Sequence, residues 1–344
     1  MASLGGCEEM DFKDMFQSKY RSILYSYLKE STEAALYQGQ KFSRKAMEHQ
    51  ISPEEIINVH CTALKELFPD LPQEVFASCD FLLEVMMDYG LAYQEHQSLR
   101  DQQLEIRSEI EIAASVQDNL LETKIPQIDV LDIGAISIPA KQMNGDYYRF
   151  VQDKQLISIA VADVIGKGIP AALCMSMIKY AMDSLLESRV HPQHVLENLN
   201  RVVENNVDSS MFITMLYGIY DSHEHTFTYA SAGHEPGFYY QSSKDTFSDI
   251  LAKGLVLGVD PNASYHQYEK KVEPGDMIVL LSDGVTESRT EEGFIERSVI
   301  TDFIRKYQHL PAQEMVENIY RDLERIQNFE IRDDFTLIIL KRKV

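Results

Sequence analysis

Four short acidic segments in the second half of the chain could together supply the carboxylates of a two-metal hydrolytic site. Asp146 follows a glycine, Asp163 opens a glycine-rich run, Asp283 lies between a serine and a glycine, and Asp333 and Asp334 are adjacent. Hard divalent cations prefer oxygen ligands, and a pair of them can activate water while binding a phosphoryl group. The residue types and their grouping therefore indicate metal-dependent hydrolysis.

These acidic segments lie at the ends of predicted β-strands, where side chains from distant parts of a chain can converge. Runs rich in Ile, Val, Phe and Tyr predict strands at 133–138, 146–151, 156–163, 212–220, 226–231, 277–282 and 335–340. Helical patterns cover 170–186, 192–206 and 312–327. Hairpin-length links between strands, with the helices held apart, predict an α+β domain: an antiparallel β-sandwich flanked by helices.

The glycine-rich run after Asp163 has its own part in this site. Gly166 and Gly168 permit a tight turn and leave the Val164 carbonyl free as an additional oxygen ligand. Lys167 could contact a phosphate, although a loop lysine is more often simply solvated. The run lacks the Ser or Thr after the lysine and the upstream glycine of a nucleotide P-loop, so it disfavours a kinase.

Composition narrows the class of protein. The chain has 344 residues, of which 44% are hydrophobic and 25% charged, enough for more than one domain. Its formal net charge of -22 would repel a phosphate backbone, so a nucleic-acid partner is disfavoured. The four cysteines show no paired spacing, and no long apolar run appears. We therefore expect a cytoplasmic protein without a membrane segment, in which residues 1–9 form a disordered extension.

Residues 10–95 predict a small helical domain. Ser52 and Pro53, followed by two glutamates, favour a helix start. The helical segment 81–89 is apolar nearly all round, which is typical either of a central core helix or of a helix that uses its second face to bind a partner. The adjacent Met86 and Met87 favour an adaptable contact surface.

Residues 96–124 predict a coiled-coil linker. Steps of four and three residues separate the seam positions Leu99, Gln103, Ile106, Ile110, Ala113, Gln117 and Leu120. Buried glutamine is costly unless it is hydrogen-bonded, so Gln103 and Gln117 predict a marginal helix pair that a small bias can switch. The alternative is one long amphipathic helix packed on its own domain.

The four acidic segments, in this order, resemble the bacterial, sporulation-phosphatase branch of the PPM-type metal-dependent protein Ser/Thr phosphatases. The lead-in at 110–121 looks like the helix that precedes the catalytic domain in that branch. Residues 37–45 are similar to the helical domain of members that positively regulate the general stress sigma factor in Gram-positive bacteria. The resemblance covers nearly everything after Met10 and implies a phosphatase domain at 125–344.

The resemblance also implies a role for each acid. Asp163 would bridge two metal ions beside the Val164 carbonyl, and Asp283 and Asp333 would complete the second metal. Asp146 would hold water or a further cation. Asp334 stands where many relatives carry asparagine, so with Gly166 and Gly168 it is expected to support the ligands without touching metal. His234, in an Ala-Gly-His segment, stays unassigned because a structural histidine is at least as plausible there.

The activity implied is direct hydrolysis of phosphoserine with two or more Mn²⁺ or Mg²⁺ ions and no protein nucleophile. The implied substrate is a phosphorylated anti-anti-sigma factor. The implied activator is a serine-kinase-like switch protein that binds the helical domain of a homodimer, and Tyr37, Met86 and Met87 are our candidate contacts. Two rival functions are a non-catalytic adaptor, which would be expected to lose ligands, and a two-metal phosphodiesterase or nuclease. None of the 10 histidines lies in the four acidic segments, which disfavours the latter.

Overall fold

A computed structural model of the chain describes residues 5–49, 51–165, 169–184, 191–208, 211–287, 289–290, 293–327 and 333–344. The chain divides into two compact units, Met1–Ile106 and Arg107–Val344. The second unit thus begins within the predicted linker rather than after it. In the described chain no helix is long and apolar enough to cross a membrane.

The first unit is built from helices α1 (Gly5–Lys29), α2 (Glu33–Glu48), α3 (Pro53–Leu67) and the beginning of α4 (Gln73–Leu121). Residues 5–9, expected to belong to a disordered extension, are helical, whereas residues 1–4 lie outside the described part. As predicted, Ser52 caps α3 by accepting a hydrogen bond from the Glu55 N–H, and Pro53 occupies the first helical position. The aromatic rings of Phe16 and Tyr20 pack on the buried Phe42.

Helix α4 is one continuous helix of 49 residues. Its segment 81–89 does not form a central core, because five of its large apolar side chains are at least 45% exposed: Phe81, Leu82, Val85, Met87 and Tyr89. The interpretation of this segment as a core helix is therefore wrong. Leu99 and Ile106 are also exposed. A coiled coil needs a second chain, so it stays a prediction for residues 99–106.

The second unit is an antiparallel β-sandwich, as the sequence predicted. Its described strands are β1 (Leu131–Ile138), β2 (Asp146–Asp153), β3 (Leu156–Ile165), β4 (Phe212–Asp221), β5 (Thr226–Ala232), β6 (Gly237–Gln241), β7 (Thr246–Ile250), β8 (Tyr268–Lys271), β9 (Met277–Leu281), β10 (Arg289–Thr290), β11 (Gly293–Phe294) and β12 (Phe335–Arg342). One five-stranded sheet has the order β1-β12-β9-β6-β7, and the other β2-β3-β4-β5-β8. All named pairings are antiparallel.

Helices cover the outer faces of both sheets. Helices α5 (Ile169–Ser184) and α6 (Pro192–Asn206) pack on the β2–β8 sheet, and α8 (Arg297–Tyr307) and α9 (Ala312–Ile326) pack on the other. Between the sheets lies an apolar core that includes Ile159, Val161, Leu280 and Ile338. The result is a four-layered arrangement, helices on either side of two sheets.

Candidate metal centre

The inter-sheet face changes from apolar to polar at one end of the sandwich. Side chains along a strand alternate between its two faces, so residues two apart share a face. On five strands, and just after the end of β9, the next residue on the inter-sheet face beyond an apolar core residue carries a carboxylate or a hydroxyl. These residues are Ser137, Asp146, Asp163, Thr214, Ser282 and Thr336. Strand register therefore brings together polar groups that are far apart in sequence.

Asp163 lies in the middle of this polar end. It pairs with Asp146 across the ladder of β2 and β3, and with Thr214 across the ladder of β3 and β4. Directly opposite residues on an antiparallel pair have closely spaced side chains, and like charges there are destabilising. The pairing of β2 and β3 therefore places the two aspartate side chains next to each other.

The other acids come from the opposing sheet. Asp283 opens α7 (Asp283–Thr286), separated by one residue from the end of β9, and Asp333 and Asp334 immediately precede β12. Gly284 is needed here, because a Cβ at that position would lie only 2.1 Å from the Asp334 carbonyl oxygen. Its missing side chain allows the ends of β9 and β12 to approach each other closely.

A cavity of about 270 Å³ collects most of the predicted site residues. Its acidic wall contains Asp163, Asp283, Asp333 and Asp334, with Gly145 and Val164 beside them, and Ile110, Ala140, Lys141, Gln142, Met143, Ile165 and Ile169 line the remainder. Asp146 is not part of this lining. It is buried, and it borders a neighbouring cavity of about 200 Å³ with Ser137 and Asn144.

The raised pKa values of the acids in and beside this cavity indicate a site that favours cations. Burial, followed by the charges of Asp283, Asp333 and Asp334, raises the pKa of Asp163 to about 7. Burial, followed by Asp333, raises the pKa of Asp283 to about 6. Burial also raises the pKa of Asp146 well above its ordinary value, although the nearby hydroxyls of Ser282 and Thr336 oppose the shift. A divalent cation among these groups would favour their charged forms.

The carboxylates share one cavity without yet forming a closed ligand set. In the part of the chain that the structure describes, no three acidic, histidine or cysteine side chains lie close enough to hold an ion between them. The Asp146 Oδ2 is buried and has no hydrogen-bond partner among the described residues, so that oxygen remains available to a ligand.

Asp334 shapes the loop that leads to Asp146. Its Oδ2 accepts a hydrogen bond from the Gly145 N–H at 2.5 Å, and its Oδ1 accepts one from the Ala140 N–H at 2.7 Å. The Gly145 carbonyl in turn accepts a hydrogen bond from the Val164 N–H at 3.2 Å. Asp334 therefore has both oxygens engaged with backbone, an arrangement suited to a supporting acid. Gly166, Lys167 and Gly168 lie outside the described residues.

Gln117 lies on a buried face of α4 and not on an exposed coiled-coil seam, whereas its role as a linker switch stays a prediction. It is buried in the second unit, where its Nε2 donates to the Asn144 carbonyl at 2.7 Å and its Oε1 accepts from the Asn144 N–H at 3.1 Å. The same helix face buries Ala114, and Ile110 reaches the cavity. From Ile110 onward the predicted seam packs on the β-sandwich. The 4-3 spacing did not distinguish the two arrangements, because it also describes an ordinary amphipathic helix.

The sequence analysis did not assign two residues that the structure places at this site, Asn144 and Lys141. Asn144 donates from its side chain to the Ser137 Oγ and accepts from the Asp146 N–H, so it connects α4 to an acid of the site. Lys141 is the single cationic side chain among the described residues lining the cavity. The position of Asn144 just before Gly145 and Asp146 was the available signal, whereas a loop lysine follows no pattern.

Comparison with known proteins accounts for both units. The family model for stage II sporulation protein E (SpoIIE) matches residues 153–343, and the model for the N-terminal domain of phosphoserine phosphatase RsbU matches residues 18–92. The chain is 63% identical over 335 residues to phosphoserine phosphatase RsbU of Bacillus subtilis (strain 168), an alignment that covers 97% of this chain and 100% of that one.

Solved structures support the fold. The SiaA-PP2C domain of Pseudomonas aeruginosa superposes with a TM-score of 0.61 at 20% identity, covering 71% of this chain and 98% of that one. The PP2C phosphatase domain of SpoIIE from Bacillus subtilis, with a fragment of its regulatory domain, gives a TM-score of 0.53 at 19% identity and covers 62% of each chain. The predicted family and fold class are thus confirmed: the sandwich has the PP2C fold, and the chain belongs to the RsbU phosphoserine phosphatases of the SpoIIE family.

Proposed function

We propose that this phosphoserine phosphatase acts on a phosphoprotein with divalent cations held by Asp163, Asp283, Asp333 and the Val164 carbonyl. The observation that carries the proposal is the pairing of Asp163 and Asp283, which come from opposite sheets, in one cavity with pKa values of about 7 and about 6. Buried carboxylates that repel each other are strongly stabilised by a shared cation.

The donor set fits Mn²⁺ or Mg²⁺, because every candidate ligand is an oxygen. Two or more ions per site are part of the proposal. When bound, such ions supply Lewis acidity to the phosphoryl group and a nucleophile at neutral pH. The described lining of the cavity contains no serine, cysteine or histidine, and the proposed hydrolysis needs no nucleophile from the protein.

The position of each acid in the sandwich suggests its role in the proposed centre. Asp163, in the middle of the polar end, faces the acids of the other sheet and would bridge two ions. Asp283 and Asp333 would hold the ion on their side. Asp146, buried with a free Oδ2, would orient water or a further cation. Asp334 keeps the 140–145 loop in place through its two backbone hydrogen bonds.

The proposed substrate is a phosphorylated anti-anti-sigma factor, and the proposed activator is a serine-kinase-like switch protein. Support comes from the family and from the RsbU-type N-terminal domain at residues 18–92. The exposed Tyr37 and Met87, with the half-buried Met86, supply apolar contact area on that domain. A homodimer, the linker switch at Gln103 and a cytoplasmic location complete the proposal.

The test measures phosphate release from a phosphoserine protein by the purified full-length chain as Mn²⁺ is added and then chelated. We expect metal-dependent release that Asp163→Asn abolishes. Asp153→Asn is the matched control, because Asp153 is exposed at the opposite end of β2 from Asp146. Release that is independent of metal, or unaffected by Asp163→Asn, would overturn the proposal. A folded wild-type protein without any release, both alone and with the proposed activator added, would favour the adaptor instead.

A further inference from the structure

His234 is a buried polar residue that the proposed chemistry does not use. It follows β5 and lies next to Gly233, whose φ of +67° favours glycine. Its backbone N–H donates to the Ser231 Oγ at 3.1 Å, and its Nδ1 is 2.9 Å from the Thr214 Oγ1. Both ends of the residue are therefore fixed.

The neighbours of His234 connect it to both sheets. Thr214 lies on β4 directly opposite Asp163. On the other side, the Leu281 carbonyl is close enough to the imidazole to influence its pKa, and Leu281 is the last residue of β9, two positions before Asp283. The imidazole thus lies between β4, which pairs with the strand of Asp163, and the end of β9, two residues before Asp283.

Burial keeps this imidazole neutral, because it lowers the pKa of His234 to about 4. A neutral imidazole has one donor and one acceptor nitrogen. Nδ1 is engaged with Thr214, whereas Nε2 is buried and has no well-formed hydrogen bond within the described residues, although the Leu281 carbonyl lies near enough to the imidazole to oppose the lowering of its pKa. An incompletely satisfied buried polar group costs about 1–3 kcal/mol. An apolar side chain of similar size would avoid this cost, so a role beyond filling space is indicated.

We infer that His234 and Thr214 form a positioning pair that sets the divalent-cation affinity of the centre. Their hydrogen bond fixes β4, the strand that pairs with the strand of Asp163, relative to the end of β9. The inference rests on the proposed metal-dependent function. It assigns to neither residue a contact with metal or substrate. Their hydrogen bond acts through the placement of Asp163 and Asp283 alone.

The Thr214 hydroxyl can be removed or kept almost without a change of shape. Thr214→Val deletes the hydroxyl and keeps the β-branched outline, whereas Thr214→Ser keeps the hydroxyl. Thr228→Val, on the neighbouring strand β5, is the matched control for the exchange itself. We would measure the Mn²⁺ dissociation constant of the metal-free full-length chain by calorimetry, its melting temperature in EDTA, and phosphate release against Mn²⁺ concentration.

We expect Thr214→Val to weaken Mn²⁺ binding about tenfold, as the loss of one buried hydrogen bond predicts, while kcat at saturating Mn²⁺ stays within about twofold. Thr214→Ser and Thr228→Val should bind Mn²⁺ like the wild type. Combining Thr214→Val with His234→Leu should weaken binding no further than His234→Leu alone, because both remove the same bond.

Wild-type Mn²⁺ affinity in a folded Thr214→Val protein, or additive losses in the double variant, would overturn the inference. A lower melting temperature with unchanged affinity would show a purely structural role and would also overturn it. If Thr214→Val does not fold, the His variants decide. His234→Asn, which keeps a polar group near the Nδ1 position, should retain affinity that His234→Leu loses. Failure of the wild type itself to bind Mn²⁺ would instead reject the proposed function.

Discussion

Asp146 and Asp163 face each other directly across the antiparallel ladder of β2 and β3. Both are acids, and burial raises the pKa of each. Two carboxylates in register would be removed by selection for stability alone, since like charges directly opposite are unfavourable. The sandwich therefore carries a cost in stability at this end, which supports the proposed cation site there.

Replacing a central acid should separate activity from stability. We expect Asp163→Asn and Asp283→Asn to lose more than about a hundredfold of metal-dependent activity, because a neutral amide cannot balance a divalent cation. In EDTA, Asp163→Asn should be more stable than the wild type by about 1–3 kcal/mol, since it removes a partly buried carboxylate that lies among other acids. Urea denaturation and phosphate release on the same preparations check both parts. Wild-type-like turnover of either variant at saturating Mn²⁺ would contradict the assignment.

The metal-free protein should become less stable as the pH rises. In the unfolded chain an aspartate ionises near pH 4, whereas the pKa of Asp163 in the folded protein is about 7. Between these values the folded state holds a proton that the unfolded state has lost, so stability falls with increasing pH. The loss should be at most about 4 kcal/mol from this group, at about 1.4 kcal/mol per pKa unit.

Urea midpoints in EDTA at pH 5 and pH 8 measure this effect. Asp283 contributes with the same sign up to about pH 6. Asp163→Asn should reduce the pH dependence, of which Asp146 and Asp283 carry the remainder. Saturating Mn²⁺ should reverse it, because cations and protons compete for the same oxygens. Stability that is constant or rises from pH 5 to pH 8 in EDTA would show that these carboxyls are not shifted in this way.

Asp333 and Asp334 should differ sharply despite being adjacent. Asp333 is exposed at the cavity, whereas Asp334 accepts hydrogen bonds from two backbone N–H groups. We expect Asp333→Ala to abolish most activity. Asp334→Asn keeps one carbonyl acceptor and should cost less than about tenfold, mainly through weaker metal binding. Mn²⁺ titrations of phosphate release compare the two, and equal losses or the reverse order would place the ligand one residue later.

The two glutamines of the predicted seam should now respond in opposite directions. Gln103 is exposed, so Gln103→Leu should strengthen a coiled coil and raise turnover without the activator. Gln117→Leu removes both hydrogen bonds to Asn144 and should lower Mn²⁺-dependent turnover about tenfold. Gln117→Glu keeps the acceptor oxygen and separates the two bonds. A Gln117→Leu protein with raised activity would restore the seam interpretation.

Much of the fold could be predicted because its long elements have strong patterns. The predicted helix at 192–206 matches α6, and the seven predicted strands all occur. The missed strands are short or highly charged, as in the Tyr-Glu-Lys-Lys sequence of β8, which has little apolar alternation to reveal it. Helix α8 was missed because β-branched residues dilute its helical signal.

The sequence predicted that acids at strand ends would meet in one site, but it did not predict the contacts that hold the surrounding residues in place. Asp163, Asp283 and Asp333 meet in one cavity, as strand-end carboxylates suggested. The two hydrogen bonds between the Gln117 side chain and the Asn144 backbone could not be predicted. Heptad spacing specifies which face of a helix is buried but not which residues cover that face. His234 is likewise fixed by Thr214 and the end of β9, contacts that depend on the stacking of two sheets.

The alternation of polar and apolar residues on the inter-sheet face has a consequence for how this enzyme can evolve. A one-residue insertion within β3 would exchange the faces of Asp163 and Val164 and destroy the centre. Insertions in the exposed turn 242–245 leave every strand register unchanged, whereas residues 251–267 are partly held in the core, where Leu257 pairs with Ile213. Lineages can therefore lengthen the 242–245 turn and acquire a new recognition surface there, whereas the strands that position the acids must keep their length. A library of single-residue insertions across the second unit, scored for Mn²⁺-dependent turnover, would map this boundary directly.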